Sequence, residues 1–93
     1  MQRRSLIIDP EDTVAVMLED GKKGDTITTP GGLVTLLENI EFAHKVAIFD
    51  HKEHQPVIKY GEEIGYVVRD VPKGSWIHNH NMACDRGKKR REI

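Results

Sequence analysis

The chain has 93 residues, with 14 lysines and arginines, 15 aspartates and glutamates, and one cysteine. This length fits a single domain with a modest core, and the balanced charge gives no general reason to expect nucleic acid as a partner. The lone Cys84 excludes an internal disulfide, which fits the reducing cytoplasm. The apolar run Leu6 to Ile8 is too short for a signal peptide, and no later run approaches the ~20 apolar residues of a membrane span. We therefore expect a cytoplasmic protein that does not enter membranes.

Short β-branched and apolar runs, separated by glycine, proline or polar turns, predict a series of strands. Residues 33–40 are ambiguous, because their apolar positions match one face of a helix while their β-branched content permits a strand. We assign them to a strand. The other predicted strands cover residues 13–18, 26–29, 45–49, 56–59, 63–69 and 76–79. Without a long helical period, the sequence predicts a compact, mostly β domain.

An internal repeat connects three of the predicted turns. Each copy has an aspartate seven residues before an apolar residue: Asp20 and Ile27, Asp50 and Val57, Asp70 and Ile77. Because aspartate can cap a turn and glycine can adopt positive φ, the repeat predicts one corner geometry used three times. The first and third copies share Lys-Gly before the second strand, whereas the middle copy has Glu53-His54. This middle corner either has another role or is a different kind of turn.

The segment from Trp76 to Asn81 concentrates two of the five histidines and the single tryptophan. Alternate side chains of an extended strand share a face, so His78 and His80 are predicted to point the same way beside Trp76. Two such imidazoles suit a metal ion or an anionic substrate if a third group is supplied, and a hydrogen-bonded surface pair is the alternative. Since the repeat makes Ile77 a core residue, both imidazoles are expected to face away from the core. Asn79 and Asn81 are expected to bind backbone at the strand end.

A basic run follows this segment, from Arg86 to Arg91. No aromatic residue interleaves its charges, so a solvated tail is favoured over a contact with phosphate or an acidic partner. These features predict an N-terminal extension over residues 1–11, one domain over residues 12–82, and a basic tail over residues 83–93.

Three segments, in order and spacing, resemble the amino-terminal SAF-type domain of altronate and galactarate dehydratases. They are His44-Lys45-Val46-Ala47, the run from Pro56 to Gly65, and the run from Gly74 to Asn81. The similarity continues upstream to Asp12. It implies a single SAF-type β-clip domain of short strands and folded loops. Thr13 and the Glu53-His54 pair depart from the family pattern, which leaves the substrate more open than the fold.

The resemblance also implies a function. Because the chain ends soon after the histidine segment, it looks like the separate small-subunit form, similar to small subunits of altronate dehydratase and sulfolactate sulfo-lyase. We expect it to help bind a hydroxy acid that loses water or sulfite, to complete the active site of a large catalytic subunit, and to be inactive alone. Self-association through exposed strands is a further expectation. The alternative is a non-catalytic SAF-type ligand-binding module.

Candidate site residues follow from the same resemblance and from the residue types. Imidazole, ammonium and phenol groups can bind the oxygens of a hydroxy acid. The predicted substrate-binding residues are His44, Lys45, Lys59, Tyr60, His78 and His80. His78 and His80 are also the predicted ligands of a divalent metal, which the family implies in the assembled enzyme as iron, manganese or magnesium. No residue is assigned to the catalytic step.

Overall fold

The computed structural model describes residues 1–84 and contains strands but no helix over that range. The mostly β prediction is therefore confirmed, whereas the basic run from Arg86 lies outside the described residues. Within that range no helix has the length and apolar character needed to cross a membrane. The strands are β1 (Ser5–Leu6), β2 (Val14–Met17), β3 (Thr26–Thr29), β4 (Gly32–Thr35), β5 (Lys45–Ala47), β6 (Pro56–Lys59), β7 (Glu62–Val67), β8 (Trp76–Ile77) and β9 (Met82–Ala83).

These strands form three small antiparallel sheets, with orders β1-β2-β5-β8, β3-β4 and β6-β7-β9. The predicted bounds are confirmed for β3 and β6, and the other strands differ by a few residues at their ends. The largest difference falls in residues 33–40, where only β4 is a strand. Leu36 still donates its N–H to Asp25, next to β3, whereas Leu37 donates to Gly74, so the backbone leaves β3 after Leu36.

Strand β1 lies inside the segment predicted as an N-terminal extension. It pairs with β2, with Ser5 opposite Met17 and Leu6 opposite Val16. Just before it, Arg3 Nε donates to Asp25 Oδ2 at 2.7 Å. The first residues of the chain thus form one edge of the four-stranded sheet.

The four-stranded sheet separates two apolar cores. Neighbouring residues of one strand point to opposite faces, so Ala15 and Val46 enter the first core while Val14 and Ala47 enter the second. The first core consists of Ala15, Met17, Ile27, Val34, Leu36, Ile40, Val46 and Ile48. The second consists of Val14, Ala47, Val57, Val67, Val71 and Ile77. The two sides of β5 and β8 therefore pack against different cores.

The repeated corner occurs four times within residues 1–84. The additional copy starts at Asn39, seven residues before the buried Val46. Every copy has positive φ four residues after its Asp or Asn: Gly24 (94°), Ala43 (73°), His54 (75°) and Gly74 (95°). The middle corner thus has the same conformation as the others, and its interpretation as a different turn is wrong.

Each Asp or Asn side chain caps the corner of another copy and not its own, which corrects the sequence-based expectation of local capping. Asp20 accepts the Phe42 N–H at 2.8 Å, and Asn39 accepts the Lys23 N–H at 2.9 Å. Single backbone bridges, Gly21 with Ile40 and His51 with Val71, join the corners in the same two pairs. The domain is thus built from two interlocked pairs of corners, each with an approximate twofold relation.

Candidate substrate-binding surface

Strands β5 and β8 bring the histidine residues together. Val46 lies opposite Trp76 and Lys45 opposite Ile77, so one step further along this register places His44 across from His78. Ile77 is fully buried in the second core, as predicted from the repeat. Trp76 packs instead against the first core. Consequently His44, Trp76 and His78 emerge together on the side of the sheet away from Ile77.

Trp76 is the centre of this group of rings. Its ring centroid lies 5.2 Å from that of His44, at an interplanar angle of 5°, and 5.2 Å from that of His78, at 12°. His44 and His78 are themselves 5.7 Å apart and nearly parallel. His80 lies 4.9 Å from Trp76 with its ring tilted by 47°. We call the surface formed by these four side chains the imidazole face.

His80 reaches the imidazole face through a turn, because β8 ends at Ile77. Asn81 Oδ1 accepts the His78 N–H and Asn81 Nδ2 donates to the Trp76 carbonyl, both at 2.9 Å. The predicted backbone-binding role of Asn81 is therefore confirmed, and its buried carboxamide closes the turn. His78 and His80 do share a surface, but a turn brings them there and not strand alternation.

Glu38 is a further part of this site. Its Oε2 accepts the backbone N–H of Trp76 at 3.0 Å across a sequence separation of 38 residues. Together with Asn81, it fixes the Trp76 backbone on both sides of the residue. Sequence reasoning missed Glu38, since no local pattern links it to Trp76.

The remaining predicted residues, Lys45, Lys59 and Tyr60, form a separate group, here called the lysine face. Lys45 follows His44 in β5 and pairs with Ile77, so it points to the opposite side of the sheet. Burial lowers the pKa of Lys45, and the positive charge of Lys59 lowers it further, whereas Cys84 raises it. Lys59 Nζ lies 4.6 Å from the centre of the Tyr60 ring. The six predicted residues thus occupy two surfaces, with the three histidines on one and Lys45, Lys59 and Tyr60 on the other.

The described residues do not provide a self-contained metal site. Over residues 1–84, no group of three or more His, Cys, Asp or Glu side chains is arranged to hold an ion. For His44 and His78 the stacking accounts for this, because an imidazole binds a metal in its own plane and two stacked rings do not direct their nitrogens to one point. Metal binding by His78 and His80 would need further ligands from outside this range.

A cleft near β1 contains none of the six predicted residues. Gln2, Arg4, Leu18 and Thr28 are among the residues that line it. The imidazole face itself is open, since His78 and His80 are both exposed. Enclosing a small ligand there requires walls from another chain or domain.

Comparison with known proteins supports the resemblance found in the motifs. The family model described as the altronate/galactarate dehydratase SAF domain matches residues 3–85. The galactarate dehydratase (L-threo-forming) of Escherichia coli (strain K12) is 48% identical over 67 residues, which cover 71% of this chain and 12% of the relative. The altronate dehydratase of Bacillus subtilis (strain 168) is 34% identical over 74 residues, 80% of this chain and 15% of the relative. The chain therefore spans only a small part of these dehydratases.

A relative of similar length is a subunit of a different lyase. The (2R)-sulfolactate sulfo-lyase subunit alpha of Chromohalobacter salexigens is 30% identical over 89 residues, covering 87% of this chain and 94% of the relative. The chain thus matches a small part of each of the two dehydratases and nearly the whole of the sulfo-lyase subunit alpha.

Proposed function

The chain belongs to the altronate/galactarate dehydratase SAF domain family, and we propose that it is the small subunit of a carbohydrate-acid lyase of the hydro-lyase type. In this role it binds the hydroxy-acid substrate, of the altronate or galactarate type, and completes the active site of a large catalytic subunit. The observation that carries the proposal is the imidazole face, where three imidazoles surround Trp76 on one open surface.

Imidazoles on this surface suit the chemistry of β-elimination. The reaction removes a proton next to a carboxylate and expels a hydroxyl group, so it needs donors that hold developing negative charge and groups that move protons. His78 and His80 are exposed and can donate hydrogen bonds to carboxylate or hydroxyl oxygens. We assign them to substrate binding, with His44 as the third member of the group.

A second polypeptide is part of this proposal because the imidazole face is open. Proteins that bind small molecules usually enclose most of the ligand surface, which three imidazoles on one surface do not achieve. The sulfolactate relative is named as subunit alpha, which supports a partner subunit. In the assembled cytoplasmic enzyme, a divalent metal (iron, manganese or magnesium) would be held outside the described residues.

A second candidate is the small subunit of a sulfo-lyase, in which sulfite leaves in place of water. It is favoured by the coverage of 94% of the Chromohalobacter salexigens subunit, against 12% of the galactarate dehydratase. Both candidates use the same imidazole face, and they differ in the leaving group.

The test is co-expression of this chain with a large subunit of the family from the same genome. The purified complex is assayed for keto-acid formation from altronate and galactarate, and for sulfite release from (2R)-sulfolactate. We expect turnover of one of these by the complex and none by the 93-residue chain alone. Substantial turnover by this chain alone, or full activity of the large subunit without it, would contradict the proposal.

A further inference from the structure

Trp76 was not among the predicted site residues, yet it contacts every imidazole of the imidazole face. Its ring lies within about 5 Å of His44, His78 and His80, whereas the imidazoles of His78 and His80 are exposed to solvent. Exposed side chains without such a contact move among several rotamers. The ring contacts, stacked for His44 and His78 and tilted for His80, therefore give the three imidazoles one common support.

Trp76 is itself held from several directions. Its backbone N–H donates to the Glu38 carboxylate, its backbone carbonyl accepts from the Asn81 carboxamide, and its ring packs on the first core. A wide ring fixed in this way can hold neighbouring rings in a defined orientation. The arrangement thus joins a rigid part of the domain to the half-buried imidazole of His44 and the exposed imidazoles of His78 and His80.

The indole nitrogen of Trp76 gives independent support. Among the described residues, Nε1 is buried and has no hydrogen-bond partner. Buried tryptophan nitrogens usually find an acceptor, and phenylalanine or leucine would fill a core position without an unpaired donor. The tryptophan is therefore poorly explained by core packing alone, and its wide ring is explained by the three imidazoles around it.

The geometry points to Trp76 as the positioning residue of the imidazole face, which holds His44, His78 and His80 in the orientation that receives the substrate. This inference rests on the proposed function. Trp76 acts through the histidines and takes no part in the chemical step. Trp76 thereby joins the six predicted residues as a further part of the site.

The first test measures the contact between Trp76 and the imidazoles in the isolated chain, independently of activity. The NMR signals of the histidine ring protons are compared in the wild type, Trp76→Phe and Trp76→Leu. Protons stacked on an indole are shifted upfield, so the signals of His44, His78 and His80 should move downfield in Trp76→Leu. His51 and His54 are internal references, since neither ring stacks on Trp76. Unchanged signals for the three histidines in a folded Trp76→Leu variant would overturn the inference.

The second test uses the complex with the large subunit. In Trp76→Leu we expect KM to rise by about tenfold or more with little change in kcat, because misplaced binding groups weaken substrate binding. Trp76→Phe should restore most of the loss, as it keeps an aromatic ring. A purely structural role would lower the amount of assembled complex, and hence the apparent kcat, without changing KM. Phe49→Leu, at an exposed position, is the control and should behave as the wild type.

The variant His78→Ala/His80→Ala separates this inference from the proposed function. If that variant loses activity while Trp76→Leu keeps a wild-type KM, the positioning role is overturned and the proposed function stands. If the double variant keeps wild-type activity, the proposed function itself fails.

Discussion

Asp50 and Asp70 cap each other's corners. Asp50 Oδ1 accepts the N–H of Lys73, and Asp70 Oδ1 accepts the N–H of Glu53, both at 2.8 Å. The relation is reciprocal, so the two corners support one another. The same exchange joins the corners that begin at Asp20 and Asn39.

Removal of these caps should destabilise the domain. We expect Asp50→Ala and Asp70→Ala each to lower the free energy of unfolding by about 1 kcal/mol, since each leaves one backbone N–H without its acceptor. Urea unfolding followed by circular dichroism measures the change. Asp50→Asn, which keeps Oδ1, is the matched control and should lose less. Equal losses for Asn and Ala at position 50 would show that the cap is not the cause.

Alanine substitutions at Gly24 and Gly74 distinguish the cost of backbone strain from the cost of a steric clash. Gly24 and Gly74 have nearly equal φ, 94° and 95°. A Cβ at Gly74 would lie 2.1 Å from the Thr35 carbonyl oxygen, whereas at Gly24 it would meet nothing within 4 Å. Gly24→Ala should therefore cost about 1 kcal/mol from backbone strain, and Gly74→Ala about 3 kcal/mol or more. Thermal unfolding of both variants measures the two losses of stability. A smaller loss for Gly74→Ala than for Gly24→Ala would contradict the prediction.

His51 should make the domain sensitive to acid. It is buried, its Nδ1 contacts the Phe49 carbonyl at 2.8 Å, and within residues 1–84 its Nε2 has no hydrogen-bond partner. Burial lowers the pKa of His51 from its ordinary 6.5. Below pH 6.5 the unfolded chain binds a proton that the folded chain resists, so stability should fall as the pH falls.

The matched variant for His51 comes from the repeat itself, where the equivalent position holds Ile40 or Val71. His51→Ile should lose less stability than the wild type between pH 7 and pH 5 in urea unfolding. The same loss in both proteins would assign the acid sensitivity to other groups.

Asp25 should add a second acid transition at lower pH. The hydrogen bond from Arg3, followed by that from the Lys22 N–H, lowers the pKa of Asp25 from 3.8 to about 2. Its stabilising contribution is complete above pH 3.8 and is lost as the pH falls towards 2. Urea unfolding between pH 5 and pH 2 should show a shallower decline for Asp25→Asn than for the wild type. Parallel curves would contradict the assignment.

The two faces should respond differently to substitution in the assembled enzyme. Replacing His78 and His80 together with alanine should abolish activity, because it removes two of the three imidazoles, and should leave the fold intact because both side chains are exposed. Lys45→Ala/Lys59→Ala changes the opposite side of the sheet and should keep measurable activity. Steady-state assays with circular dichroism distinguish these results. A larger loss from the lysine variant would place the substrate on the lysine face.

The spacing from an aspartate to an apolar residue predicted three of the four corners, since aspartate has local reasons to occupy turns. The fourth copy was missed because it begins with Asn39 and not with an aspartate. The exchange of caps could not be predicted, because an aspartate that caps its own turn and one that caps a distant turn have the same local sequence. Tertiary contact decides between them.

Strand alternation predicted that His78 and His80 share a surface. They do share one, but the turn closed by Asn81 places them there. The separation of Lys45 from His44 could be predicted from the sequence, since the two are neighbours and neighbouring strand residues face opposite ways. The family resemblance instead placed both residues in one site. Glu38 could not be found, since its contact depends on the path of residues 36–40 after they leave the sheet.

The exchange of caps also has a consequence for how the domain folds. Turns normally form early because their contacts are local, but here the capped N–H and its acceptor are 16 to 23 residues apart. An isolated hairpin therefore cannot form a capped corner, because the cap is supplied by the other corner of the pair. The small domain gains cooperativity from this, because opening one corner uncaps another.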